Sequence, residues 1–317
     1  MLTSPRVSLA SWPTPLEPAP RLAAALGLGV DDLWIKRDDL TGLAGGGNKI
    51  RKLEYTCGAA VAAGASTLVT VGVAQSNHAR LTAAAGASLG LDVVLILAGS
   101  EPPQNTGNLA LNGMLGARIV WAGDVDESTL DDFATDEVRR LYAAGITAAL
   151  IPFGGSTAAA VQGYVHCGEE LKAQLRDLNY VFTAVGSAGT MAGLVQSLGS
   201  DRVRGIDSGA VDDAEKRVRA LIASFTGREC DAALDIRRDQ IGQGYQHLTQ
   251  PVEEALTLFA THTGIVLDPI YTGRAFAGFL AAVRDGSVRR GERSVLLHSG
   301  GLPGFFGNAA ALALSRR

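Results

Sequence analysis

Apolar positions along the chain fall into short runs, broken by glycine-rich polar stretches, with two alternating periods. "LWIKRD" has the form of a strand. "NKIRKLEYTCGAAVAA" repeats at helical spacing and places Ile50, Leu53, Cys57, Ala60 and Val61 on one face. "STLVTVG" predicts a strand and "SNHARLTAAAGASLG" a helix. "DVVLILAG" and "ARIVWAG" predict two more strands. "ESTLDDFATDEVRRLYAAG" predicts a helix and "AALIPFGG" a strand. "YVFTAVG" and "TMAGLVQSLG" repeat the strand–helix pair, and "VRGIDSG" and "SVLLHSG" read as late buried strands. Strands alternating with helices imply parallel sheets flanked by helices, an α/β fold. No repeat of fixed period and no low-complexity linker marks a boundary. The expected division is a smaller α/β unit at 52–154, inserted in a larger unit made of 1–51 and 155–317.

Composition narrows the class. The 317 residues are 47% hydrophobic and 19% charged, as suits a globular chain of one or two domains. A net charge of −4 gives no general attraction to nucleic acid or to an anionic membrane surface. Cys57, Cys167 and Cys230 are far apart and match no zinc spacing, so no metal site is expected. They read as buried or free thiols of a reducing compartment. The opening "MLTSPRVSLASWPTP" lacks the apolar centre of a signal peptide. The longest apolar stretch, from about Leu81 to Ala98, holds Asp92 and several glycines, and is expected to be helix, turn and strand rather than a membrane span. A cytoplasmic location is the expectation.

Candidate chemistry begins at "LAGGGNKIRKLEY". Lysine is scarce, five in all, and two stand here. Asn48 is placed to cap the following helix, which puts Lys49 in its first turn, where the dipole is positive. That position and burial both favour a neutral amine, able to attack an aldehyde. Gly45, Gly46 and Gly47 allow the backbone to pass close to a ligand. Lys52 is expected to be a solvated neighbour, and Lys36 to pair with a carboxylate. An ordinary capped helix with surface lysines would read the same way.

"FTAVGSAGTMAGL" is strand, glycine loop, helix. The N–H groups from Gly186 to Thr190, with the hydroxyls of Ser187 and Thr190, could converge on an anion. The loop matches neither G-x-x-x-x-G-K-[ST] nor G-x-G-x-x-G, so one phosphomonoester fits better than a nucleotide. A tight connection with no ligand is the alternative. An aldehyde-seeking lysine together with a monophosphate loop points to pyridoxal 5′-phosphate. "VGVAQSNHARL" opens another helix, where Ser76 could cap and the N–H groups beyond it could hold a carboxylate. Asn77 could donate to the phenolic oxygen of a pyridine ring. A plain cap and a surface histidine at His78 are the alternatives.

The segments "PTPLEPAPRL", "WIKRDDLTGLAGGGNKIRKLEY", "AQSNHARLTAAAG", "IPFGGS", "GSAGTMAGL", "LDPIYTGRA" and "LLHSGGLPG" occur in one order over nearly the whole chain. In them the chain resembles the 1-aminocyclopropane-1-carboxylate deaminase / D-cysteine desulfhydrase family of pyridoxal-phosphate enzymes, fold type II. The resemblance implies two open parallel-sheet α/β domains, like the tryptophan synthase β chain, with the active site between them. It implies a small amino-acid substrate and a homodimer. It makes Lys49 the Schiff-base lysine, Ser76, Asn77 and His78 the carboxylate-binding turn, and Val185, Gly186, Ser187, Ala188, Gly189 and Thr190 the phosphate loop. It makes Tyr245 and Tyr271 the tyrosines facing the substrate. Alone, Tyr245 would read as a packed loop anchor and Tyr271 as a turn residue.

Members that open the cyclopropane ring carry Glu after the second tyrosine and Leu after the histidine of the last strand motif. Here those places hold Thr272 and Ser299, the desulfhydrase pattern, with a small hydroxyl near the pyridine nitrogen in place of a carboxylate. "GLPGFFG" at 301–307 is a further departure. The implied reaction is α,β-elimination from a β-substituted alanine, D-cysteine first and L-cysteate next. Lys49 is the first candidate for α-proton acceptor, with Ser76 or Tyr271 for the opposite face. Racemisation or β-replacement on the same fold, and a phosphate-ligand binding protein with no chemistry, are the competing readings.

Overall fold

The structure is a computed structural model that describes residues 5–316; residues 1–4 and 317, which the expected large unit includes, lie outside it. The chain starts with β1 (Leu16–Pro18), α1 (Pro20–Ala25) and β2 (Leu33–Arg37). It continues through α2 (Lys49–Ala62), β3 (Thr67–Val73), α3 (Asn77–Leu89), β4 (Asp92–Ala98), α4 (Gly107–Met114), β5 (Arg118–Trp121), α5 (Glu127–Ala143) and β6 (Ala148–Ile151). Then follow α6 (Ala158–Gln174), β7 (Leu178–Val185), α7 (Gly189–Leu198), β8 (Val203–Asp207), α8 (Ala214–Thr226) and β9 (Asp235–Arg237). The last elements are α9 (Gln250–Thr263), α10 (Thr272–Arg284), β10 (Arg293–His298), α11 (Leu302–Phe306) and α12 (Ala309–Ala313).

The strands form two sheets. The smaller has the order β5-β4-β3-β6, and the larger β1-β2-β10-β7-β8-β9. All pairings are parallel except that of β1 with β2 at the edge. Strands buried on both faces are apolar along most of their length, as "TLVTVGV" and "DVVLILA" are apart from Thr67, Thr70 and the exposed Asp92. Alternate residues then serve opposite faces: Val93, Leu95 and Leu97 enter one core, and Val94 and Ile96 the other. In the larger sheet Leu296 packs on one side, and Val295 and Leu297 on the other.

The smaller sheet spans residues 67–151, and α2 packs on it through Ile50, Leu53, Cys57 and Ala60. We propose 52–154 as the corresponding unit. Val61 does not join that face; it is 44% exposed. The apolar stretch at 81–98 resolves into α3, a left-handed Gly90 and β4. Among the described residues no helix is long and apolar enough to cross a membrane. Cys57 and Cys167 are buried and Cys230 partly so; all three are free. Lys36 has the expected partner, donating to Glu170 Oε2 at 2.6 Å.

Candidate active site

The carboxyl ends of the strands in both sheets converge on one cleft. The turn ahead of α2 enters it in left-handed backbone: Ala44 has φ +45° and Gly46 φ +66°. A Cβ at Gly46 would stand 2.0 Å from the Asp39 carbonyl oxygen, so only glycine fits there. The Gly47 N–H donates to Thr41 Oγ1 at 2.8 Å, and the Asn48 N–H to the Ser299 carbonyl at 2.9 Å, fastening the turn to the end of β10. Asn48 makes no side-chain cap, contrary to expectation. Its Nδ2 instead donates to Thr190 Oγ1 at 3.0 Å, while Oδ1 accepts from Lys49 Nζ at 3.1 Å.

Lys49 is the first residue of α2. Its side chain reaches the cavity, yet protein surrounds the amine. Burial chiefly pushes its pKa down to about 8; Asp268 opposes this and the charge of Arg80 adds to it. Lys52 is not the solvated neighbour expected. It is 1% exposed and donates to Ser156 Oγ at 2.9 Å and Ser187 Oγ at 3.3 Å. Burial, then the charges of Lys49 and Arg217, hold its pKa well below the ordinary value. One turn of helix separates the two lysines, and that spacing was the available signal that they share a face.

The loop after β7 faces these amines. Ala188 adopts φ +69°, and α7 begins at Gly189. Ser156 Oγ donates to Ser187 Oγ at 2.9 Å. Val185 turns its side chain into the core behind the sheet, so only its backbone belongs to the loop. At the second helix mouth Ser76 caps α3 as expected, accepting from the Ala79 N–H at 3.1 Å. Asn77 Oδ1 accepts from Asn108 Nδ2 at 3.0 Å and Arg80 Nη2 at 3.3 Å. His78 is buried beneath the Phe153–Gly155 turn with Nε2 on Thr70 Oγ1 at 2.8 Å. Thr70 spends its proton on the Ile151 carbonyl, so the imidazole carries its proton on Nε2 and Nδ1 is left without a partner. Burial and the two lysines keep this ring's pKa well below the ordinary value.

Tyr245 and Tyr271 share a 2.6 Å hydrogen bond between their hydroxyls. Burial raises both phenol pKa values, so neither stands as a phenolate. Asp268, missed by the sequence reading, fixes Tyr271: its carboxylate accepts the N–H groups of Ile270, Tyr271 and Thr272 at 3.0, 2.9 and 2.8 Å. An Asp just ahead of a helix start was the signal. Thr272 is not part of the cleft wall. It is fully buried and its hydroxyl is bound to Asp268 Oδ1 at 2.7 Å, turned from the cleft. Ser299 borders a narrow cleft with Asn48, Lys49, Ser187, Thr190 and Tyr271.

That cleft adjoins a cavity of about 190 Å³ walled by Lys49, Ser76, Asn77, His78, Tyr245 and Tyr271. Outside it lies a vestibule of about 490 Å³ reaching Gln75, Asp124 and Asn308. A larger hollow of about 1060 Å³ lies at the opposite, amino-terminal strand ends and contains no predicted site residue. The donor set suits a pyridine aldehyde phosphate: an amine whose pKa burial lowers to about 8, then Lys52, Ser156, Ser187 and Thr190 gathered at the mouth of α7. The space is kept open at Gly186, where a Cβ would press to 3.1 Å from the Tyr271 ring.

Residues 7–300 match the model of the family described as pyridoxal-phosphate dependent enzyme. A Pyrococcus abyssi protein provisionally named 1-aminocyclopropane-1-carboxylate deaminase is 38% identical, over 95% of this chain and 93% of its own. A Klebsiella pneumoniae D-cysteine desulfhydrase is 36% identical, over 95% of each. The crystal structure of an ACC deaminase homologue superposes with a TM-score of 0.89 at 35% identity, over 98% of this chain and 96% of that one. Lysine, phosphate loop, two-sheet fold and family match agree: the chain belongs to the pyridoxal-phosphate-dependent enzymes of fold type II and takes pyridoxal phosphate as its cofactor.

Proposed function

We propose that the enzyme removes the β-substituent of D-cysteine as sulfide, the remaining three-carbon enamine taking up water to give ammonia and pyruvate. The coarser statement, a pyridoxal-phosphate-dependent lyase or deaminase, follows from the family and its relatives. The observation that carries the finer one is electrostatic. Among the described residues, Lys49 is the only lysine or arginine lining the cavity and the vestibule, and the one histidine there, His78, is neutral. The vestibule adds Asp124 and Asp268. A sulfonate, as on L-cysteate, would find no counter-ion beside its departing group; a thiol needs none. Ser299, in place of a larger apolar residue, speaks against cyclopropane opening.

When bound, the cofactor offers Lys49 an aldehyde and gives the electrons of the substrate's α-carbon somewhere to go. Lys52, Ser156, Ser187 and Thr190, with the first N–H groups of α7, hold the phosphate. Asn77 presents its Nδ2 to the phenolic oxygen, and Ser299 its hydroxyl to the ring nitrogen. The Ser76 hydroxyl, which accepts as a cap and retains its proton, donates to the substrate carboxylate with the N–H groups behind it. His78 contributes its backbone to that turn. Lys49, as a neutral amine, would take the α-proton. Tyr271, kept protonated and held by Tyr245, donates a hydrogen bond to the sulfur as it leaves. A homodimer, which rests on the resemblance, and a cytoplasmic location, which rests on the sparse free thiols, belong to the same reading.

A panel of D-cysteine, L-cysteine, β-chloro-D-alanine, D-serine, L-cysteate and 1-aminocyclopropane-1-carboxylate, assayed for keto acid and sulfide, tests the proposal. We expect D-cysteine and β-chloro-D-alanine to lead. Faster turnover of L-cysteate or of the cyclopropane amino acid would overturn it.

A further inference from the structure

Arg80 is fully buried in α3, one turn beyond Asn77. Among the described residues no carboxylate pairs with it. Its acceptors are all neutral: Nη1 donates to the carbonyls of Ala44 at 2.9 Å and Gly46 at 2.8 Å, Nε to Asn108 Oδ1 at 2.9 Å, and Nη2 to Asn77 Oδ1 at 3.3 Å. Burying a guanidinium without a counter-ion is costly, and here it depresses even the arginine pKa, to about 10. Such a group needs a reason beyond packing.

Two features of the network supply one. Asn77 Oδ1 receives two donors, Arg80 and Asn108 Nδ2, and Asn108 is itself held by Gln75, whose carbonyl accepts from its Nδ2 at 2.9 Å. Turning the Asn77 amide over would set its NH2 against both donors and lose both bonds, so the oxygen faces inward and the NH2 faces the cavity. The same guanidinium takes the two carbonyls that the left-handed turn at 44–46 exposes, three residues before Lys49. A planar fork can serve both sites at once; an ammonium cannot.

We propose that Arg80 is a positioning residue: it fixes the Asn77 amide with its NH2 toward the cavity and ties that amide to the turn that delivers Lys49. The inference rests on the reading of Asn77 as a contact of the cofactor's ring oxygen. It predicts that Arg80 acts on the cofactor through Asn77, so the two residues do not contribute independently.

The test is a double-mutant cycle in the dissociation constant of pyridoxal phosphate, with thermal unfolding measured beside it. Arg80→Lys and Asn77→Ala should each weaken binding about tenfold, and the double variant about tenfold rather than a hundredfold. A hundredfold loss in the double variant, or wild-type affinity in folded Arg80→Lys, overturns the inference. Wild-type affinity in Asn77→Ala removes the reading of Asn77 first, and the inference with it. If Arg80→Lys does not fold, a crystal structure of the loaded native protein decides. Asn77 Oδ1 on Arg80 with Nδ2 on the ring oxygen supports the inference; an Nδ2 turned from the ring overturns it.

Discussion

Lys49 shows how one residue acquires its chemistry from position. An exposed lysine with a pKa near 10.5 is neutral at pH 7 in roughly one molecule in three thousand; at about 8 the fraction is roughly one in ten. Burial does most of this, and Arg80 adds to it. Only the neutral amine attacks an aldehyde, so the rate at which apoprotein captures pyridoxal phosphate should rise about tenfold per pH unit and level off near pH 8. A rate still climbing at pH 10 would show an ordinary surface amine. The rarity of lysine and the glycines before it made this residue legible in the sequence. The partners of Asn48 were not, because Thr190 lies 142 positions away and a local cap was the nearer guess. The buried bond of Thr272 to Asp268, four residues back, was not legible in the motif either.

At the scale of elements, helix α2 carries two lysines one turn apart to different tasks. Lys49 reaches the cavity, while Lys52 lies against Ser156 and Ser187 at the mouth of α7. The sequence reading left Lys52 in water because a helix start followed by charges usually is solvated. The face it occupies is covered by the turn at 153–156 and the start of α7, where a Cβ at Gly189 would stand 3.3 Å from its side chain, while Arg51 beside it meets α6, whose Gly163 lies so close that a Cβ would meet the Arg51 carbonyl at 2.2 Å. That close approach also obscured α6 in the sequence, because Gly163 and Gly168 interrupt the apolar face formed by Ala160, Val161, Tyr164, Cys167 and Leu171. Strands were easier to read, since a strand buried on both sides is apolar along most of its length. Replacing Lys52 with Ala should weaken pyridoxal phosphate binding by at least about tenfold, yet leave capture of pyridoxal, which lacks the phosphate, nearly unchanged. Equal losses for both would place Lys52 in folding rather than in phosphate binding.

Across the whole molecule, the two sheets aim their carboxyl ends at each other, and most of the site comes from such ends, Tyr271 and Asp268 coming instead from the connection between α9 and α10. The lysine turn follows β2, the carboxylate turn follows β3, the phosphate loop follows β7 and Ser299 follows β10. The alternation of strands and helices announced parallel sheets, but not which strands would be neighbours: β10 inserts between β2 and β7, from opposite ends of the chain. That insertion fastens the Lys49 turn to Ser299 and so closes the site. The central claim is that this meeting of distant segments makes Lys49, and no other amine, the one joined to the cofactor. Borohydride reduction of the loaded enzyme, digestion and mass spectrometry test it directly. The account predicts one pyridoxyl group per chain, on Lys49; a group on Lys52 or elsewhere, or none fixed at all, would contradict it.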